Sequence, residues 1–166
     1  MADSDSKPPA DDTKDRVFLV VVDETEEMKV ALRFACRRAR HTGGRVALLY
    51  VIEPADFQHW RAVEELMREE ARSEGEQLLQ RLAAQVNELV GAIPILYVRE
   101  GKVAEELMNL LEEEPQISIL VLGASTEARG PGPLVSALTG KMVGRLRVPV
   151  TIVPGNLSDE AIDSIS

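Results

Sequence analysis

The sequence has little cysteine, little histidine and few aromatic residues. One of its 166 residues is cysteine, two are histidine, and 4% are aromatic. A single cysteine excludes an internal disulfide framework and a cysteine-cluster zinc site. Two histidines leave little for a histidine-rich metal site, so we predict that the chain's own side chains hold no metal.

Basic residues and long apolar runs are also scarce. The 28 acidic residues outnumber the 19 basic ones, which gives a formal net charge of −9. Phosphate backbones and anionic membranes repel such a chain, so we expect no nucleic-acid or membrane partner. No apolar run approaches the length of a membrane span, and the opening MADSDSKPPADDTKD lacks the apolar stretch of a signal peptide. We therefore expect a cytoplasmic protein.

The apolar residues, which make up 45% of the chain, fall into five short runs separated by segments of helical spacing. The runs are rich in β-branched residues, which is typical of strands buried on both faces. They cover residues 17–22, 46–52, 93–98, 117–122 and 148–153, and the helical segments cover 25–40, 59–90, 101–113 and 133–146. This alternation predicts an α/β fold, a single doubly wound domain with a five-stranded parallel sheet and helices on both faces.

The two ends of the chain depart from this alternation. Residues 1–15 are rich in Asp, Ser, Pro and Lys and have almost nothing to bury, which predicts a disordered acidic tail. Residues 156–166 are also polar and acidic, which predicts a flexible polar tail. We therefore expect one folded domain over residues 16–155.

In doubly wound sheets, ligands bind beyond the carboxyl ends of the strands, where the strand order reverses. Three common phosphate-handling motifs are missing from those ends. The first strand runs into Asp23-Glu24 rather than into Gly-x-Gly-x-x-Gly, which excludes a dinucleotide-binding domain. Gly140-Lys141 lacks the flanking residues of a P-loop, and the third strand ends without the phosphoacceptor aspartate of a phosphorelay receiver.

The fourth apolar run leads into a loop rich in glycine and proline, GASTEARGPGP, and then into a helix. Two interpretations of this loop stay open. Gly130 and Gly132 permit close approach of phosphates to a helix start, where Ser136 adds a hydroxyl. Alternatively, Pro131 and Pro133 make the connection a rigid turn.

Four segments carry a family resemblance: VVVDET at strand one, LLYVIEP at strand two, REGKVAEELMNLL after strand three, and GAS followed by RVPVTIVPG at the end. Together with the order of elements, they resemble the universal stress protein (UspA) family over about residues 16–155. The resemblance implies an adenine-nucleotide alpha-hydrolase-like fold and a role in the stress response. It also implies a homodimer formed through the fifth strand, Val148 to Val153.

Nucleotide-binding members of that family carry Gly-x-x-Gly and, further along, Gly-Ser/Thr between strands four and five. In this chain Gly123 takes the first glycine position. Thr126, Ser136 and Ala137 take the other three positions, so the glycine motif is degenerate.

The resemblance also implies contacts on the adenosine side of a bound nucleotide. Asp23 matches the family's strand-one aspartate near the adenosine, and Val51 matches its strand-two position near the base. With Gly130 and Gly132 as a replacement phosphate loop, the predicted site consists of Asp23, Val51, Gly123, Gly130, Gly132 and Ser136. The predicted ligand is ATP or ADP, with Mg²⁺ entering with the phosphates rather than held by a protein cage.

The favoured hypothesis is a dimeric regulatory protein that binds ATP or ADP and has no catalytic turnover. Asp23 and Glu24 are the only candidate acid/base pair, and neither a nucleophile–base arrangement nor a metal-ligand cluster accompanies them, so we expect no enzyme. Two alternatives stay open. One is a protein-interaction module that binds no nucleotide, and the other is a slow ATPase or autophosphorylating protein with Ser136 or Thr139 as acceptor.

Overall fold

Within residues 16–54 and 61–166, which the computed structural model describes, five strands alternate with helices. In chain order the elements are β1 (Val17–Val21), α1 (Glu26–Thr42), β2 (Arg45–Ile52), α2 (Arg61–Val90), β3 (Ile95–Glu100), α3 (Val103–Glu113), β4 (Ile117–Ala124), α4 (Pro133–Thr139), a 3₁₀ turn (Val143–Arg145), β5 (Val150–Pro154) and α5 (Asp159–Ile165). The tail predicted over residues 1–15 and the predicted start of the second helix at His59 lie outside the described residues.

The strands form one sheet with the order β3-β2-β1-β4-β5, and every neighbouring pair is parallel. The chain moves outward from β1 through β2 to β3, and then returns to the other side of β1 to add β4 and β5. The strand order therefore reverses between β1 and β4. This architecture confirms the predicted fold class, a five-stranded parallel sheet in an α/β domain.

The sheet separates two apolar clusters, because successive side chains of a strand point to opposite faces. On one face Phe18 and Val20 of β1 join buried residues of α1 and α2, and on the other Val17 and Leu19 join α3 and α4. All four side chains are at most 3% exposed. Burying a side chain of this size contributes about 1.5–3 kcal/mol, so these runs specify strands buried on both faces.

Several element boundaries differ from the prediction. β4 continues to Ala124 rather than ending at Leu122, and β5 begins at Val150 rather than at Val148. β3 begins two residues later than expected, because Ile93 is 68% exposed and Pro94 precedes the strand rather than starting it. The helix that begins at Pro133 ends at Thr139 instead of continuing to Leu146, because Gly140 leaves the helical region (φ −105°, ψ −111°).

The end of the chain forms a helix where the sequence predicted a flexible polar tail. The Ser158 hydroxyl accepts a hydrogen bond from the Ala161 amide at 3.1 Å and starts α5. Ile162 is fully buried against α1, and Arg33 of α1 donates two hydrogen bonds to the Asp163 carboxylate, at 3.0 and 2.8 Å. Arg37 also pairs with Asp163 at 3.4 Å, and Arg38 donates to the Ser166 carbonyl at 3.2 Å. A single buried isoleucine and contacts to a distant helix hold this segment, so the sequence shows no helical period there.

Candidate functional site

A cavity of about 1050 Å³ opens at the carboxyl ends of β1, β2 and β4, where the strand order reverses. We call it the switch-point cavity. Residues 21–25, 27, 28, 50, 51, 53, 54, 74, 78, 101–104, 122, 123 and 131–135 line it. The cavity therefore lies where the fold class places its ligands.

Asp23 and Thr25 build the turn between β1 and α1 at the edge of this cavity. Asp23 Oδ1 accepts hydrogen bonds from the Thr25 amide at 2.8 Å and from the Thr25 hydroxyl at 2.6 Å. The same hydroxyl oxygen accepts from the Met28 amide at 3.3 Å and thereby caps α1. Within the described ranges no residue donates to Asp23 Oδ2, so one carboxylate oxygen stays available to a ligand.

Tyr50 is a cavity residue that the sequence analysis missed. Its ring lies against α2 at Gly75, where a Cβ atom would come within 2.3 Å of Tyr50 Cε1. Burial, and then the charges of Glu74 and Glu24, raise the pKa of the Tyr50 phenol. In the sequence, Gly75 was the residue that could have indicated this contact, because a glycine inside a long helix is unfavourable and often permits close packing of a neighbouring side chain.

Val51 lies next to Tyr50 and also lines the cavity, as the sequence analysis predicted. The chain beyond β2 runs against the start of α3. Glu53 Oε1 accepts a hydrogen bond from the Val103 amide at 3.4 Å, and the Gly101 amide donates to the Ile52 carbonyl at 2.9 Å. A carboxylate therefore caps the first turn of α3 at this side of the cavity.

Gly123 lines the cavity, and its lack of a side chain is required by the protein's own backbone. A Cβ atom at Gly123 would come within 2.2 Å of the Glu27 carbonyl oxygen in the first turn of α1. A Cβ atom at Gly155 would come within 2.6 Å of Glu27 Cβ. These two glycines let the start of α1 approach β4 and the end of β5.

Of the three residues that were predicted to contact phosphate in the β4–α4 loop and in α4, only Gly132 lines the cavity. Gly132 lines the cavity with φ +116°, a value that favours glycine. Gly130 is not among the lining residues, and a Cβ atom there would come within 2.1 Å of the Ser125 carbonyl oxygen. Ser136 is exposed and also outside the lining, and its amide donates to the Gly132 carbonyl at 3.0 Å. Four of the six predicted residues thus meet at the cavity, namely Asp23, Val51, Gly123 and Gly132.

The charged residues that line the cavity are mostly acidic. Five carboxylates and one ammonium line it, those of Asp23, Glu24, Glu27, Glu53, Glu74 and Lys102. Within the part of the chain that the structure describes, none of the five acids forms an ion pair, although seven ion pairs form elsewhere. The sequence analysis identified only Asp23 and Glu24 of this set.

The described residues contain no group of three or more His, Cys, Asp or Glu side chains that could hold a metal ion. In residues 16–54 and 61–166 no helix combines the length and apolar character that crossing a membrane requires.

The strand order and the cavity at its reversal define the class, an α/β protein of the adenine-nucleotide alpha-hydrolase-like fold. The sequence model of the universal stress protein family matches residues 16–154, and the chain belongs to that family. A comparison with curated protein sequences gave no match.

Solved structures of universal stress proteins share this fold. UspA from Lactobacillus plantarum superposes with a TM-score of 0.70 at 17% identity, over 83% of this chain and 97% of that chain. A family member from Arabidopsis thaliana with AMP bound has a TM-score of 0.58 at 14% identity, over 87% and 94% of the two chains. A universal stress protein in complex with cAMP has a TM-score of 0.50 at 14% identity, over 85% and 98%. At such identities the likeness shows the fold.

Proposed function

We propose that this chain is a dimeric regulatory protein that binds an adenine nucleotide in the switch-point cavity without turning it over. The observation that carries the proposal is the cavity itself. Its volume of about 1050 Å³ is ample for a nucleotide, since small-molecule sites enclose roughly 300–1,000 Å³. Asp23 and Val51, the two positions that the family resemblance assigns to adenosine, both line it.

The lining combines apolar surface for a base with polar groups for a sugar. Val21, Val51 and Leu122 supply apolar surface, Tyr50 supplies an aromatic ring, and Asp23 Oδ2 is available to accept hydrogen bonds. This mixture suits a nucleoside, whose base buries apolar area and whose hydroxyls need acceptors. Two relatives of the same fold carry AMP and cAMP, which supports an adenine ligand for this chain as well.

The lining residues offer no protein nucleophile for covalent transfer of a phosphate group. They include neither cysteine nor histidine, and the Thr25 hydroxyl is already engaged with Asp23 and the Met28 amide. Nucleophilic catalysis needs a nucleophile and a base within hydrogen-bond reach of each other. Ser136 and Thr139, the two candidate acceptors of the autophosphorylation alternative, are not lining residues.

Dimerisation through β5 forms part of the proposal. β5 is an edge strand of the sheet, and Ile152 on it is 40% exposed. Such an edge presents unpaired backbone groups and apolar surface that a second copy can cover. Sedimentation velocity at micromolar concentration should give the mass of a dimer, and a monomer at every concentration would contradict this part.

Nucleotide binding is tested by denaturing the purified protein, identifying any released nucleotide by chromatography, and titrating ligand-free protein with adenosine, AMP and Mg-ATP by calorimetry. We expect saturable binding of at least one of these ligands. If none is released and none binds at millimolar concentration, the chain is an interaction module and the proposal is wrong.

The role of Asp23 is tested with two substitutions. Asp23→Asn keeps an acceptor oxygen for the Thr25 turn and replaces the other carboxylate oxygen with an amide, whereas Asp23→Ala removes both. We expect both variants to bind adenosine at least about tenfold more weakly, because a hydrogen bond to a charged group contributes about 1.5–3 kcal/mol. Asp159→Asn, at an exposed aspartate outside the lining, is the matched control and should bind normally. Normal binding by Asp23→Asn would remove Asp23 from the site.

A further inference from the structure

The negative charge of the switch-point cavity is uncompensated. Among the described residues its five acids form no ion pair, and Lys102 is the only basic residue in the lining. A partly enclosed site screens charges less than open solvent does. Each phosphate group that entered the cavity would add negative charge to this field.

Two of the acids act at the same place in the cavity. Glu24 follows β1 and Glu74 lies on α2, both line the cavity beside Tyr50, and after burial their negative charges raise the pKa of the Tyr50 phenol. Both negative charges therefore act on the same residue, Tyr50 of β2. A negatively charged ligand that filled the cavity would meet both carboxylates at once.

At one helix start that borders the cavity, a protein carboxylate already accepts a hydrogen bond from an amide that could bind a phosphate. The start of an 11-residue helix, α3, borders the cavity, and the amides of a helix start attract anions. Glu53 already accepts from the Val103 amide there, at 3.4 Å. At the start of α3 a ligand phosphate would therefore compete with the Glu53 carboxylate for the Val103 amide.

We infer that the switch-point cavity selects adenine ligands by charge, binding the nucleoside and the monophosphate and discriminating against the triphosphate. This inference rests on the proposed nucleotide-binding function. A glycine motif for ATP would predict the tightest binding for the triphosphate. In this cavity the charges of the lining residues decide the affinity, so the order of affinities is reversed.

The first test is calorimetry of the full chain with adenosine, AMP, ADP and ATP at equal ionic strength and without Mg²⁺. We expect adenosine and AMP to bind at least about tenfold more tightly than ATP. Raising the salt concentration from about 0.05 M to about 0.5 M should reduce the difference between adenosine and ATP affinity, because it shortens the distance over which charges repel one another. ATP binding as tight as adenosine binding would overturn the inference.

The second test removes two of the charges. Glu24→Gln/Glu74→Gln should lower the ratio of ATP to adenosine dissociation constants at least about threefold. Glu26→Gln/Glu76→Gln removes the same formal charge from neighbouring exposed positions outside the lining, and should leave the ratio unchanged. An equal change in both double variants would assign the effect to net protein charge and would overturn the inference.

The two tests separate failure of the inference from failure of the proposed function. If ATP binds at least as tightly as adenosine, the cavity is a nucleotide site without charge selection, so only the inference fails. If no adenine ligand binds the wild type or the Glu24→Gln/Glu74→Gln variant, the proposed function fails and the inference falls with it.

Discussion

The two sides of the switch-point cavity are lined by different kinds of residue. On the β1–β2 side, formed by Asp23, Tyr50 and Val51, side chains line the cavity. On the β4–α4 side, formed by Gly123 and Gly132, the protein's own backbone leaves no space for a side chain at Gly123, and the φ of +116° at Gly132 favours glycine. A ligand would meet polar and aromatic side chains on the first side, and glycine, proline and aliphatic residues on the second.

This difference shows that a glycine matching a ligand-binding motif can be explained by packing alone. Gly123 occupies the first position of the family's nucleotide motif, yet the Glu27 carbonyl already leaves no space for a Cβ atom there. The Ser125 carbonyl does the same at Gly130. Two substitutions, one on each side, test the assignment of packing to the β4–α4 side and ligand contact to the β1–β2 side, and a third on neither side serves as the reference.

The largest effect is expected from Gly123→Ala on the β4–α4 side. The new methyl group would overlap the Glu27 carbonyl oxygen, so α1 or β4 must shift, and the free energy of unfolding should fall by about 2–3 kcal/mol. Urea denaturation measures this loss. Gly144→Ala is the matched control, because no atom lies within 4 Å of its Cβ position, and it should change stability by less than about 0.5 kcal/mol. Unchanged stability in Gly123→Ala would argue that this glycine serves a ligand.

A smaller effect on stability and a clear effect on binding are expected from Gly75→Ala on the β1–β2 side. The methyl group would push the Tyr50 ring away from α2 and into the cavity, so adenosine should bind about tenfold more weakly. The gain in helix propensity, about 1 kcal/mol, should offset most of the strain. Calorimetry and urea denaturation test the two parts. Ser73→Ala, at an exposed position of α2, is the control, and equal adenosine affinity in both variants would remove Tyr50 from the site.

The smallest effect on the cavity is expected from Asp163→Asn, which lies on neither side. Hydrogen bonds from Arg33 hold the pKa of Asp163 below its ordinary value. A lowered carboxyl pKa gives stabilisation that is present above the ordinary pKa of about 3.9 and is lost as the pH falls through the lowered value.

At pH 7 Asp163→Asn should therefore have a lower melting temperature than the wild type, and the difference should disappear as the pH falls below the lowered pKa of Asp163. Thermal unfolding followed by circular dichroism measures the difference, and adenosine affinity at pH 7 should be unchanged. A difference in melting temperature that persists at low pH would show that the ion pair does not stabilise α5.

Much of the fold and half of the candidate site follow from local sequence patterns. The β-branched runs predicted all five strands, since a strand buried on both faces must be apolar throughout. Asp23 directly follows the first run, and the family resemblance assigned it and Val51 to the adenosine side of a bound nucleotide. α5 was missed because a single inward residue, Ile162, gives no periodic signal without the surface of α1 that covers it.

The sequence by itself determined the strands, the α/β class and the strand ends at which this fold class binds its ligands, because these depend on the spacing of neighbouring residues. Only the tertiary structure decided the composition of the cavity. Glu27, Glu53 and Glu74 are distant in sequence and meet because β2 returns the chain to the carboxyl edge of the sheet and α2 packs against β2. Whether a glycine faces a ligand or a neighbouring backbone is likewise decided by contacts between distant elements, which no local pattern records.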